Sequence, residues 1–299
     1  MSRREVPEAA GKLDERDVAI LIALLEHKLL TTDQIHALFF NSVRRAQTKI
    51  QELREQDLIH TLKVRAAGRR PDRHHLTNLG VRVAAFHIGR SRSELRVPTS
   101  EAELRRGLPH RLGVNDFFCR LVLACDASSG HGVQAWEDEH RLRRGDREVQ
   151  PDGFGRLLHP GGAMEFLLEY DRGTEHFWAV VEKLGRYLAV SSAHPPEEPT
   201  SFPNVLFLAP TERREGLLKR ALGVAVERWD IRSARSARMP FYVGNRSLLR
   251  LERHLGAVWL PLAGPAGRLS LSEMEGAPDC WWDLSECLRV RWVRGEWQG

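Results

Sequence analysis

The chain has 299 residues, 42% hydrophobic and 28% charged, with a net charge of +5. That is enough apolar material for packed cores and too much for a disordered chain, and the length favours two domains. No apolar run approaches the ~18 residues of a membrane span, and MSRREVPEAAGKLDERD has charge but no apolar segment behind it, so neither a signal peptide nor a membrane partner is expected. Cys119, Cys125, Cys280 and Cys287 form no CxxC pair and no zinc spacing, which points to a reduced, cytoplasmic protein with buried thiols. The charge is uneven. Residues 1–98 hold 18 Lys and Arg against 12 Asp and Glu, whereas the remaining 201 hold 27 against 28. A basic module on a near-neutral body suggests a nucleic-acid contact near the N-terminus.

From Leu13, apolar residues recur at helical spacing through Val18, Ile22, Leu25 and Leu29, with Ile20, Leu21 and Leu24 thickening the stripe, and Asp14 precedes them as a cap. Thr31 or Thr32 caps a second, short helix over DQIHALFF. Asn41 or Ser42 caps a third over VRRAQTKIQELREQ, with Val43, Ala46, Ile50 and Leu53 inward. LIHTLKV reads as a strand, RAAGRRPDRH as a loop and HHLTNLG as the returning strand. Two helices, a third and a hairpin predict a winged helix-turn-helix over residues 1–88. Its groove-entering helix offers Ser42, Arg44, Arg45, Gln47, Thr48 and Lys49, where Arg suits guanine, Gln suits adenine and Ser or Lys suits phosphate. The wing adds Lys63, Arg65, Arg69, Arg70 and Arg73. The competing reading of these charges is a solvated face, or a winged helix that contacts protein.

Residues 89–107 are polar and weakly patterned, and read as a linker, partly helical. A second domain over 108–299 then opens with the amphipathic helix PHRLGVNDFFCRLVLACDA. GVQAWEDEHRLR, REVQPDGFGRLL and AMEFLLEYD follow as strands, EHFWAVVEKLGRYLAV as a helix, NVLFLAPT as a buried strand and REGLLKRALGVAVERW as a helix. This α-β-β-β-α-β-α order predicts a mixed sheet flanked by helices, and the whole chain an α+β protein. The Trp-rich last 60 residues show no period.

Asp152 lies at the start of one strand and Glu169-Tyr170-Asp171 at the end of the next. Alternation puts Glu169 and Asp171 on one face, and Asp152 joins them if the strands are neighbours. Converging carboxylates need a cation, and oxygen-only ligands favour Mg²⁺ or Mn²⁺. Such an ion activates water and offsets charge on a phosphodiester. A helix beginning at Gly173-Thr174 would put its positive end nearby. Lys183, one step off its apolar stripe, can reach inward, and Asn115, Asp116 and His110 on the preceding helix offer further polar groups. Each has a plainer reading: Pro-Asp is a common turn dipeptide, strand-end acids are often solvated, and Lys183 can pair with a neighbouring acid.

The order Pro-Asp, strand, Glu-x-Asp resembles the PD-(D/E)XK nuclease superfamily, whose core is a helix, three strands, a helix and a further strand. More specifically, LDERDVAILIALLEHKLLTTDQIHALFF, RRAQTKIQELREQDLI, HRLGVNDFF, PDGFGRLL and EFLLEYDRGTEHFWAVVEKLGRYL resemble the replication-relaxation family of plasmid and integrative-element proteins. That family is similar to MobC-type mobilisation relaxases, which pair a winged helix with a nuclease-like domain and use metal ions. The resemblance implies an α/β restriction-endonuclease-like second domain and metal-dependent DNA nicking at a plasmid origin-like site. Asp152, Glu169, Asp171 and Lys183 would be catalytic, and Asp152, Glu169, Asp171 and Asp116 would hold the metal. Replication or conjugation proteins and a second copy of the chain are the partners it brings with duplex DNA. One departure stands out: Asp171 occupies the place of the superfamily's lysine. Either the lysine has migrated to Lys183, or the fold is degenerate and the chain is a non-catalytic DNA-binding replication or regulatory factor. A tyrosine relaxase is disfavoured, because the three tyrosines accompany no HxH cluster among 13 histidines.

Overall fold

The computed structural model describes residues 5–62, 72–95, 97–98, 100–125, 129–142, 149–192, 202–229, 240–263 and 267–274. They form an α+β chain that divides into two compact units between Leu123 and Ala124. None of the described helices is long and apolar enough to cross a membrane.

The first unit runs α1 (Glu5–Ala10), α2 (Glu15–His27), β1 (Leu30–Thr31), α3 (Thr32–Phe39), α4 (Val43–Glu55), β2 (Ile59–Leu62), β3 (Arg73–Leu76), α5 (Asn78–His87), α6 (Glu101–Arg105) and α7 (Leu108–Ala124). Asp14 starts α2 in a reciprocal capping box with Asp17, and Thr31, rather than Thr32, starts α3 in another with Gln34. Ser42 takes the N-cap position of α4 without a side-chain hydrogen bond. The strands form an antiparallel sheet in the order β1-β3-β2. α2 buries Ala19, Ile20, Leu21, Ala23 and Leu24, while the predicted Val18, Ile22 and Leu25 are only half-buried. A helix apolar on most sides does not fix its own phase, and the tertiary packing chose the neighbouring stripe. Val43 is 42% exposed instead of inward, since it opens α4 ahead of the first complete turn.

The segment read as a linker contains α6, whose Leu104 packs with Leu29 and Leu108. α7, expected to open the second domain, lies within the first unit: Asn115 Nδ2 donates to the Leu29 carbonyl (3.0 Å) and Gln34 Nε2 to that of Leu112 (3.2 Å).

The second unit continues with β4 (Gly132–Asp138), α8 (Glu139–Leu142), β5 (Gly153–His159), β6 (Gly162–Tyr170), α9 (Phe177–Ser192), β7 (Asn204–Ala209), α10 (Glu212–Arg228), β8 (Phe241–Asn245), α11 (Arg246–Glu252) and β9 (Leu260–Pro261). These strands form a six-stranded sheet, β4 to β9 in order. β4, β5 and β6 are antiparallel neighbours; β6, β7 and β8 run parallel, joined through α9 and α10; β9 turns back antiparallel. The expected mixed sheet is therefore present, extended by β8 and β9. Phe154, Leu167, Val205, Phe207, Phe241 and Val243 form one sheet face, against which α9 packs Val180, Val181, Leu184 and Leu188, and α10 packs Leu218, Ala221 and Leu222. Gly185 lets this layer close, because a Cβ there would sit 2.7 Å from the Trp229 ring. Trp259 is fully buried; Trp281, Trp282, Trp292 and Trp297 lie outside the described residues.

Candidate active site and nucleic-acid face

Asp152 immediately precedes β5, and its amide donates to the carbonyl of Leu168 (2.9 Å), the residue that pairs with Gly153. The Asp152 carboxylate lies close enough to Glu169 for its charge to act on that side chain. That charge also acts on Lys183 and Tyr187 of α9, so both acids stand toward the face that α9 covers. Asp152 Oδ2 accepts from the Tyr170 amide (2.7 Å).

Glu169 is 3% exposed. Two residues of α9, four apart and so on one helix face, reach it: Tyr187 donates to Oε1 (2.6 Å) and Lys183 Nζ to Oε2 (3.1 Å). Lys183 also meets the Glu175 carboxylate at 3.1 Å. Burial, seconded by the charge of Asp152, pushes the Glu169 carboxyl up to about 7 against the pull of Lys183 and Tyr187. Burial works to lower the Lys183 ammonium, but the Glu169, Glu175 and Asp152 carboxylates outweigh it and hold Lys183 above the ordinary lysine value. Burial beside Glu169 also raises the Tyr187 phenol, so it remains a donor. Lys183 thus faces three acids, Asp152, Glu169 and Glu175.

Asp171 is not brought into this set. β6 ends at Tyr170, so alternation no longer governs the next residue, which enters a turn where Gly173 has φ +76°. Its carboxylate accepts from the Gly173 amide (2.6 Å) and, on both oxygens, from Arg214 of α10 (2.5 and 3.3 Å). Arg214 Nη1 also donates to the Glu175 carbonyl (3.0 Å), clamping the β6–α9 turn. Asp116, the fourth expected ligand, belongs to the first unit, where it pairs with Arg120 at 2.8 Å. Among the described residues no group of three or more His, Cys, Asp or Glu is arranged to hold a metal. The expected start of α9 at Gly173-Thr174 is displaced to Phe177.

On α4, Arg44, Arg45, Gln47 and Thr48 are exposed and Ser42 half-buried, so the face predicted to meet bases is open. Lys49 is not part of it. Its ammonium lies 2.9 Å from Asp17, 3.0 Å from Glu52 and 3.6 Å from Asp14, tying α4 to α2. Arg73 is also corrected: it lies in β3 opposite Leu62 and Thr31 and is 6% exposed, not on a wing tip. Lys63, Arg65, Arg69 and Arg70 fall outside the described residues. These placements separate the two kinds of cation. Arg44→Ala or Arg45→Ala is expected to flatten the plot of log DNA affinity against log salt by about 0.9, the share of one phosphate contact. Lys49→Met should leave that slope unchanged and lower Tm, as read by titration and thermal melt.

Residues 21–205 match the model of a family described as Replication-relaxation. The chain belongs to the replication-relaxation family. The match covers most of the segments on which the sequence resemblance rests. No curated protein matches the chain. Among solved structures, it is similar to the restriction endonuclease FokI bound to DNA, with 14% identity and a TM-score of 0.29 over 80% of this chain and 45% of that one. The chain thus spans under half that protein's length. In this replication-relaxation protein, sequence reasoning missed Glu175, Tyr187 and Arg214 as partners of the acids. Tyr187 carried a signal, four residues beyond Lys183 on one helical face; Arg214 carried none.

Proposed function

We propose that this replication-relaxation protein binds duplex DNA through a winged helix-turn-helix and nicks it at a metal-dependent centre in a restriction-endonuclease-like second unit. The observation that carries the chemistry is Lys183 reaching Glu169 from α9 while the charge of Asp152, just before the neighbouring strand, acts on the same carboxyl. The resemblance to PD-(D/E)XK nucleases then holds with the lysine migrated from the strand to the helix. Asp152 and Glu169 are hard oxygen donors, and Mg²⁺ in phosphate chemistry is bound through one or two carboxylates with water and substrate oxygens filling its shell. They would hold such an ion; Asp171, which stands apart in the β6–α9 turn with Arg214 on both of its oxygens, would not. When bound, the ion supplies an activated water and offsets phosphodiester charge. The protein's own part is positional and electrostatic. Tyr187 orients Glu169, the Tyr170 amide orients Asp152, and Lys183 presents an ammonium where negative charge grows on the phosphate.

The open face of α4 supports the DNA-binding half of the reading, with Arg44, Arg45 and Gln47 toward base edges and Ser42 toward phosphate. A second reading, a non-catalytic DNA-binding factor, draws support from Lys183, whose two acid partners make a self-sufficient ionic lock. One experiment divides them. Supercoiled plasmid is incubated with the full chain, with EDTA or with Mg²⁺ or Mn²⁺, and Tm is measured in parallel. The catalytic reading expects nicked circles only with metal and a metal-induced rise in Tm that Asp152→Ala lacks. Intact plasmid and an unmoved Tm at about 10 mM Mn²⁺ would leave the non-catalytic factor.

A further inference from the structure

In the second unit, the buried and half-buried Lys and Arg side chains among the described residues meet a carboxylate, with one exception. Arg156 has Glu165 (2.7 Å), Arg214 has Asp171, Arg268 has Glu215 (2.9 Å), and Lys183 has Glu169 and Glu175. Arg246, half-buried at the start of α11, instead donates from Nη1 to the Tyr170 hydroxyl (2.6 Å) and lays its guanidinium over the same ring, 4.9 Å from the centroid. Neither contact neutralises it. Its Nε and Nη2 donate to no protein atom among the described residues, which leaves the face of the guanidinium that takes two oxygens of one anion. Withdrawing a guanidinium from water without an acid, and fixing it between a hydroxyl and a ring, costs desolvation and rotamer freedom. An anion arriving from outside would offset that cost.

The position of Arg246 indicates which anion. It follows β8, Tyr170 closes β6, and β6, β7 and β8 run parallel, so both residues stand at the carboxyl edge of these strands, where open α/β sheets bind their ligands. The Tyr170 amide donates to Asp152 Oδ2 (2.7 Å), so the residue that holds Arg246 also holds the first carboxylate of the candidate site. Tyr170 alternates to the sheet face opposite Glu169, so Arg246 stands across the end of β6 from Asp152, Glu169 and Glu175, acids that outnumber Lys183 and repel DNA unless a further cation at this edge engages the strand. We infer that Arg246, positioned by Tyr170, binds a backbone phosphate of the DNA strand led to this edge. The inference rests on the proposed reading of Asp152, Glu169 and Lys183 as a DNA-cleaving centre.

The test separates the two claims by leaving chemistry out. A fluorescein-labelled 30-base-pair duplex is titrated with the full chain in EDTA between 50 and 400 mM KCl. Arg246→Gln should weaken binding about fivefold at 100 mM KCl and flatten the salt slope by about 0.9, one phosphate contact. Arg246→Lys should restore the slope without full affinity, since it keeps the charge but loses the fork. Tyr170→Phe, which keeps the ring and removes the hydrogen bond, should weaken binding about threefold with the slope intact. A wild-type slope in Arg246→Gln, or a slope that Arg246→Lys does not restore, would overturn the inference. A wild-type protein that binds the duplex yet nicks no plasmid in metal refutes the cleavage reading and leaves the salt slopes to decide Arg246.

Discussion

If the proposed metal-dependent nicking is the activity, Lys183→Met should reduce it about 100- to 1000-fold, the loss expected when a preorganised charge facing a developing oxyanion is removed. Methionine keeps a stem of similar length, and Glu169, already held up at about 7, takes a proton when its cation is gone, so a folded, DNA-binding protein is expected to remain. The pH dependence gives the sharper signature. Without metal, burial holds the Glu169 carboxyl up at about 7, so below that value a metal must displace its proton, and the nicking rate should rise with pH. Lys183 is among the groups holding the Glu169 carboxyl down, and its removal should shift the acid limb of the residual activity to higher pH. An unmoved limb would detach Glu169 from the chemistry. Stability carries the same information with a definite sign. A carboxyl raised from 4.5 to about 7 on folding binds more protons in the native state than in the unfolded one between those values. Its contribution to stability is therefore full below 4.5 and is lost as pH rises toward 7. Glu169→Gln should remove that fall from a Tm-against-pH curve.

Arg214→Leu should destabilise the protein by about 3–5 kcal/mol, because it leaves the Asp171 carboxylate, 8% exposed, buried without its cation. For a domain of this size the shift is roughly 10 °C in Tm. Asp171→Asn combined with Arg214→Leu removes both charges and should recover much of the loss. The same pair distinguishes a clamp from a metal ligand. If Asp171 acts only by fixing the β6–α9 turn, the double variant retains its Mn²⁺-induced Tm rise while Asp152→Ala does not. Loss of that rise in the double variant would return Asp171 to the ligand set.

The parts of the site that the sequence disclosed are those set by local rules. Asp152 and Glu169 flank one hairpin, near the start of β5 and the end of β6, and the apolar stripe of α9 places Lys183 beside the sheet. Asp171 stands apart from the other acids because strand alternation stops at Tyr170, and its partner lies 43 residues away on another helix. Lys49 has the composition of a DNA contact, but its partner Asp17 belongs to α2, and helix-to-helix packing leaves no trace in a periodic pattern. β8 is five residues long and fully buried, too short for a period to show, and Arg246 becomes visible only once that strand stands beside β7. The pattern of α7 alone assigns it to the second domain, since nothing in that pattern signals that Asn115 bonds to Leu29.

The contiguity of Asp152, Glu169 and Lys183 has a consequence for the order of folding. All three lie within one antiparallel hairpin and the helix directly after it, joined by short-range contacts, whereas β7 and β8 arrive through helical crossovers with larger loop-closure costs. The two acids are thus expected to be pressed together before Arg214 or Arg246 comes within reach. During that interval Lys183, carried on the same segment, is the cation at hand to hold the hairpin against its own repulsion. A lysine on α9 then serves the nascent chain as well as the finished site, and Lys183→Met should slow refolding more than it accelerates unfolding.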